Sequence, residues 1–262
     1  MMPRVLSGAV LFVLVVGAVW FLSPIALLTL AEIVVCLAFR EYSTLCERMG
    51  VHVATAAAGV ATLIACAAMG IPGMPVDVAL LGATLGLAVV VLASGRHGPE
   101  ALHDVSASAF APLYLGLPLG ALVAIRWSIG REALLLLMLT VILSDTTQFY
   151  SGRLFGRRLL APTISPKKTV EGAVGGFVAG ILSMAILGGW WLSWVDLPRR
   201  IGLGLAVVAI GMVGDLFESS LKRSAGVKDA SFLIPGHGGI LDRLDAMLFA
   251  APVFYIAVRY GL

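Results

Sequence analysis

Long apolar runs separated by short polar clusters make up nearly the whole chain. The stretches 53–71, 78–94, 105–125 and 172–195 contain no Asp, Glu, Lys or Arg. Each approaches or exceeds the roughly 20 residues that carry a helix across a hydrocarbon core of about 30 Å. Read along its length, the pattern predicts nine helical spans at 5–22, 24–39, 53–71, 78–94, 105–125, 132–150, 172–194, 201–217 and 244–258. The predicted fold class is therefore all-α, a polytopic transmembrane helical bundle. No internal repeat or Gly/Ser-rich linker divides the chain, so a single membrane domain, 1–262, is expected. Within it, residues 1–130 form N-terminal spans, and 131–262 a second half with polar loops at 151–171 and 218–243 long enough to do chemistry.

Composition agrees with this pattern. Hydrophobic residues make up 60% of the chain and charged residues 13%, against about 25% charged in a soluble domain. The opening Met1–Arg4 and the apolar run behind it resemble a secretory leader, but no small-residue cleavage site follows and Ser23-Pro24 leads into another apolar stretch. It is read as a retained span. Cys36, Cys46 and Cys66 are an odd, scattered set without C-x-x-C spacing, which argues against both a disulfide framework and a thiolate metal site.

The position of the cations predicts the orientation. With the N-terminus inside, the outer segments hold only Arg126, Arg131, Arg199, Arg200 and Arg259 of the chain's 18 lysines and arginines. That bias follows the positive-inside rule and places both polar loops on the cytoplasmic side.

Charged groups in or beside a span are costly, about 2.5–3.5 kcal/mol each on insertion scales, and ask for a reason. Asp145, Asp215, Glu218, Asp242 and Asp245 are all expected at the same end of their spans. Asp215 with Glu218, and Asp242 with Asp245, are three residues apart and share a helical face. Carboxylates gathered in this way repel unless cations neutralise them. Oxygen-only donors without His or Cys at ligand spacing favour Mg²⁺. The alternative is that these acids form ion pairs with Arg243, Lys222 or Arg223 at the membrane surface.

The two loops carry the groups that a triphosphate requires. In the first, Lys167 and Lys168 supply point charges, Ser165 and Thr169 hydroxyls, and Gly152 and Gly156 room for close backbone approach. Thr169 or a residue near it is placed to cap a helix starting around Val170, whose N-terminus favours an anion. Arg153, Arg157 and Arg158 suit anionic lipid headgroups, worth about 1 kcal/mol per cation. The second loop holds Lys222, Arg223 and Lys228, and then Pro235-Gly-His-Gly-Gly239 directly before Asp242. Its backbone N–H groups could cradle an anion, with His237 as a proton donor, phosphate ligand or simple turn residue.

From Ser219 the run S-S-L-K-R, four residues, K-D-A-S, then F-L-I-P-G-H-G-G-I-L-D-R-L-D resembles the signature of the phosphatidate cytidylyltransferases. S-P-K-K-T-V-E-G upstream and Asp145-Thr146 followed by G-R-x-F-G are similar to the same family. The resemblance covers Leu143 to the C-terminus, while the first 130 residues are similar only in being hydrophobic spans. It implies a helical membrane enzyme of phospholipid biosynthesis, often a homodimer in the bilayer of the inner (plasma) membrane. The implied partners are CTP, phosphatidate and a divalent cation such as Mg²⁺, with no nucleic acid. By the same resemblance, Asp215 and Asp242 match metal-binding carboxylates, and Asp245 lies close to that centre. Lys222, Arg223, Lys228 and Asp229 fall on positions associated with activity. Asp145, Ser165, Lys167, Lys168, Thr169, His237, Gly238 and Gly239 are the candidate substrate contacts. Two departures stand out: the family often has Asn at the position of Lys167, and Thr147-Gln148 replaces a small-then-aromatic pair. A CTP-dependent enzyme acting on another lipid, or an ion transporter, are the competing functions.

Overall fold

A computed structural model describes residues 2–95, 97–233 and 238–261, with the side chains of 2–11 outside the description. Ten α-helices appear among the described residues: α1 (Met2–Phe21), α2 (Pro24–Arg48), α3 (Thr55–Gly70), α4 (Val76–Ala93), α5 (Pro99–Ala111), α6 (Leu117–Ser128), α7 (Arg131–Phe155), α8 (Val170–Trp191), α9 (Leu197–Ser224) and α10 (Leu241–Tyr260). A π-helical turn, Pro112–Gly116, joins α5 to α6. Proline has no N–H to donate, and a widened turn there keeps the helix going where α-helical pairing would fail. Counting α5 to α6 as one rod, nine helical segments overlie the nine expected spans. Among the described residues, five are long and apolar enough to cross a membrane: Val76–Ala93, Pro99–Ser128, Arg131–Phe155, Val170–Trp191 and Leu197–Ser224. This is an all-helical membrane protein.

The polar loops are shorter than the sequence suggests. Helix α7 continues to Phe155, α9 continues to Ser224, and α10 already begins at Leu241. Residues 151–155, 218–224 and 241–243 are therefore helical. Charge marks where a lipid-facing run ends but does not by itself stop a helix, and α7 passes through Gly152 to end only at its C-cap, Gly156. What remains of the first loop is an antiparallel hairpin of β1 (Leu159–Ala161) and β2 (Ser165–Thr169), pairing Leu159 with Thr169 and Ala161 with Ser165.

The chain divides into two compact units, Met1–Ser128 with Leu221–Leu244, and Ile129–Ser220 with Asp245–Leu262. Helices α9 and α10 each contribute to both. In the first unit, α2, α3, α5 and α6 pack around Ala58, Ala65, Leu115 and Ile125, all buried. The Tyr42 hydroxyl donates to the Ala107 carbonyl at 2.9 Å, and Phe110 stacks on Tyr114 with ring centres 5.4 Å apart. Buried Asp104 accepts from the His52 N–H at 2.8 Å and the Ser108 hydroxyl accepts from the Ala54 N–H at 3.0 Å. Both tie down the entry to α3, whose own N-cap residue, Ala54, has no side chain able to do so.

In the second unit α7 packs against α8 through glycines four residues apart. A Cβ at Gly172 would sit 2.7 Å from the Gln148 carbonyl oxygen and one at Gly176 3.1 Å from that of Ser144, both on α7, while one at Gly180 would meet Val208 of α9. Lipid tails give helices no hydrophobic incentive to associate, so close backbone approach of this kind supplies the attraction. The consequence for the site is positional: Ser144 and Gln148, which flank Asp145, are held against α8.

Candidate functional site

In the second unit the acidic residues come from three helices. Asp145 is on α7, Asp215 and Glu218 on α9, and Asp245 on α10. Asp215, Glu218 and Asp145 all lie close enough to act electrostatically on Asp245. Helix packing accounts for the convergence: Gly214 lets α9 approach until a Cβ there would be 2.5 Å from the Asp245 carbonyl oxygen. Asp145 lines a narrow cleft with Gln148, Val208, Gly211 and Ala246. Glu218 is fully buried.

A lysine answers this negative charge. The Lys168 ammonium forms an ion pair with Asp215 Oδ2, with 11% and 23% of the two side chains exposed. The Ser219 hydroxyl is 3.4 Å from Asp215 Oδ1. The two lysines of β2 differ in setting: the Lys168 side chain is largely buried beside Asp215, whereas Lys167 is exposed. Thr169 caps α8 as expected, its hydroxyl accepting from the Gly172 N–H at 3.1 Å. Ser165 sits at the far end of the hairpin, paired with Ala161. Beyond the strands, Glu171 accepts from the Arg157 and Arg158 N–H groups at 2.9 and 3.2 Å. An open groove of about 420 Å³ there is lined by both arginines with Leu154 and Phe155.

The first unit holds the rest of the signature. Lys222 Nζ meets Asp242 Oδ1 at 2.5 Å, with 10% and 6% of the two side chains exposed. Ion pairing by Lys222, the bland role considered for it, is thus what the structure shows at Asp242. Asp242 Oδ2 accepts from the Ala230 N–H at 2.9 Å and the Gly239 N–H at 2.7 Å. Gly238 has φ +80°, and a Cβ there would meet Asp242 Oδ2 at 2.6 Å. Of the glycine-rich turn's amides, that of Gly239 thus holds a carboxylate of the protein itself. Arg223 donates to the Val227 carbonyl at 2.9 Å, and Lys228 and Asp229 are exposed. His237 lies outside the described residues.

One residue of this constellation was missed in the sequence. Glu41, near the end of α2, is 5% exposed and accepts three hydrogen bonds from the signature segment. The only available signal was a lone Glu just past an apolar run, which reads as an ordinary interfacial charge.

The donor chemistry suits Mg²⁺. All acids involved offer hard oxygen, and Mg²⁺ takes one or two carboxylates and completes its shell with water and substrate phosphates. Among the described residues no three His, Cys, Asp or Glu side chains gather at ligating distance, a number that Mg²⁺ does not require.

Comparison with known proteins places this chain in a class. The profile of the Cytidylyltransferase family matches residues 2–261, and the chain belongs to that family. Among individual relatives, it is 47% identical over 135 residues to phosphatidate cytidylyltransferase 5, chloroplastic, of Arabidopsis thaliana, covering 51% of this chain and 33% of that protein. It is 34% identical over 186 residues to the phosphatidate cytidylyltransferase of Helicobacter pylori, covering 68% and 64%. The corresponding protein of Synechocystis is 41% identical over 155 residues, covering 56% and 52%. The matched region thus spans between a third and just under two thirds of the length of these relatives.

Proposed function

We propose that this chain is a phosphatidate cytidylyltransferase, converting CTP and phosphatidate to CDP-diacylglycerol and pyrophosphate. The observation that carries the reading is the Lys168–Asp215 pair set beside Asp245, Glu218 and Asp145, within a chain of the Cytidylyltransferase family. Three relatives that bear the name phosphatidate cytidylyltransferase support the choice of acceptor.

The reaction joins an oxygen of the phosphatidate phosphate to the α-phosphorus of CTP and breaks the α–β bridging P–O bond, whose electron pair leaves with pyrophosphate. The nucleophile is an anion near neutral pH, so alignment and charge neutralisation matter more than a strong base. Lys168 is the proposed phosphate ligand, exchanging Asp215 for a phosphate oxygen when nucleotide enters. Lys222 and Arg223 would stabilise charge on the phosphates, and Thr169 would hold the α8 N-terminus in place. Asp215 and Asp242 are the proposed metal carboxylates, with Asp245 close to Asp215. Bound Mg²⁺ would supply charge neutralisation to the triphosphate.

The outer placement expected of Arg126, Arg131, Arg199, Arg200 and Arg259 from the positive-inside rule supports an active site facing the cytoplasm from the plasma membrane. A homodimer in the bilayer is part of the same proposal. The test is purified protein in lipid nanodiscs given radiolabelled CTP with phosphatidate, other phospholipids or a polyprenyl phosphate. Label appearing in CDP-diacylglycerol is the expected result. Label on another acceptor alone, or on none, overturns it.

A further inference from the structure

The N-terminal spans supply a residue that the signature segment leans on. Glu41 Oε1 accepts from the Ser231 hydroxyl at 2.6 Å and from the Ile240 N–H at 2.9 Å. Its Oε2 accepts from the Leu241 N–H at 2.8 Å. Ile240 and Leu241 are where α10 starts, and the first N–H groups of a helix have no partner within it. Ordinarily a residue just ahead of the helix caps them. Here the cap comes from a helix some 200 residues earlier in the chain.

The fit around the carboxylate is close. A Cβ at Gly239 would stand 2.5 Å from each Glu41 oxygen, nearer than real side chains approach, so the Gly239 backbone lies directly against this carboxylate. Asp242, one residue into α10, holds two further amides of the segment, those of Ala230 and Gly239. The two carboxylates therefore share the work: Asp242 gathers the turn and Glu41 fastens the turn and the helix start to α2. Charge-assisted hydrogen bonds of this kind are about twice as strong as neutral ones.

We infer that Glu41 is a positioning residue for the reaction: it sets the start of α10, and through it the orientation of Asp242, without touching substrate. The inference rests on the function proposed above for its consequence on turnover, but the anchoring itself can be measured independently.

Three readouts separate this from a general structural role. In Glu41→Ala, hydrogen exchange at the Ile240 and Leu241 amides should accelerate at least tenfold, while amides of α7 and α8 keep their protection. Turnover should fall tenfold or more through kcat, with KM for CTP changing less than threefold. Glu41→Gln keeps one acceptor oxygen and should lie between wild type and Glu41→Ala; if Glu41→Ala does not accumulate, this variant decides.

The third readout is a double-mutant cycle. Gly239→Ala should cost at least tenfold in kcat when Glu41 is present and less than threefold in the Glu41→Ala background, where the conflicting oxygens are gone. Unchanged exchange at Ile240 and Leu241, full turnover in Glu41→Ala, or additive effects in the cycle would each overturn the inference. Should the wild-type protein transfer no cytidylyl group to phosphatidate, the proposed function fails, and the exchange data still decide whether Glu41 anchors the segment.

Discussion

Lys222, close to the end of α9, and Asp242, at the start of α10, are 2.5 Å apart with nearly all of both side chains buried. Removing one member of a buried pair strands the other charge and costs about 3–5 kcal/mol, whereas replacing both by apolar groups is often neutral. Asp242→Asn and Lys222→Met are each expected to lower the thermal midpoint in detergent and to lose at least 100-fold in pyrophosphate release. The Lys222→Met/Asp242→Asn double variant, which removes both charges and keeps an acceptor for the Ala230 and Gly239 amides, should recover the midpoint but not the activity. Recovery of both would mean that the pair is purely structural.

Lys168 and Lys167 are adjacent in sequence and unlike in setting. Lys168 pairs with Asp215 and Lys167 is exposed, so the two should respond differently to loss of charge. Removal of one preorganised charge-stabilising group typically costs about 10²–10³ in turnover. Lys168→Met is expected to fall in that range, and Lys167→Met to stay within threefold of wild type, both measured as initial rates at saturating CTP. Equal losses would refute the assignment of the phosphate ligand to Lys168.

The nine segments were legible in the sequence because apolar runs free of charge have one stable solution in lipid, a helix with every backbone group paired internally. The Thr169 cap was legible too, being a local interaction between a hydroxyl and an N–H three residues on. The ends of α7 and α9 were not, because polar residues continue a helix as readily as apolar ones. Nor was Glu41, whose partners are about 190 to 200 residues away. The common depth expected for Asp145, Asp215, Glu218, Asp242 and Asp245 came from the ends of their spans, and four of the five interact in the second unit, whereas the pairing of Lys168 rather than Lys167 with Asp215 could not be read from two adjacent lysines.

The glycines of α8 provide a test of how the acidic cluster is assembled. A side chain at Gly176 would press on the Ser144 carbonyl, one residue before Asp145. Overpacking a close interface typically costs about 1–3 kcal/mol. Gly176→Leu should lower the thermal midpoint and reduce kcat, whereas Gly82→Leu, on α4 where nothing lies within 4 Å, should do neither. A Gly176→Leu protein with normal stability and rate would show that α7 and α8 tolerate separation without consequence for Asp145.

Metal dependence follows from charge. In the second unit Asp145, Asp215, Glu218 and Asp245 interact around one paired lysine, Lys168, and a nucleotide triphosphate would bring further negative charge to the same place. Unless a cation accompanies the nucleotide, the repulsion opposes binding. Excess chelator should therefore abolish pyrophosphate release, and Mg²⁺ should restore it. Ca²⁺, larger and tolerant of irregular coordination, should support nucleotide binding but little turnover. Asp215→Asn should raise the Mg²⁺ concentration for half-maximal rate at least tenfold. Asp145→Asn, which leaves the Lys168–Asp215 pair intact, should shift it less. Activity that survives chelation unchanged would leave the lysines alone to neutralise the triphosphate and would remove the metal from the proposal.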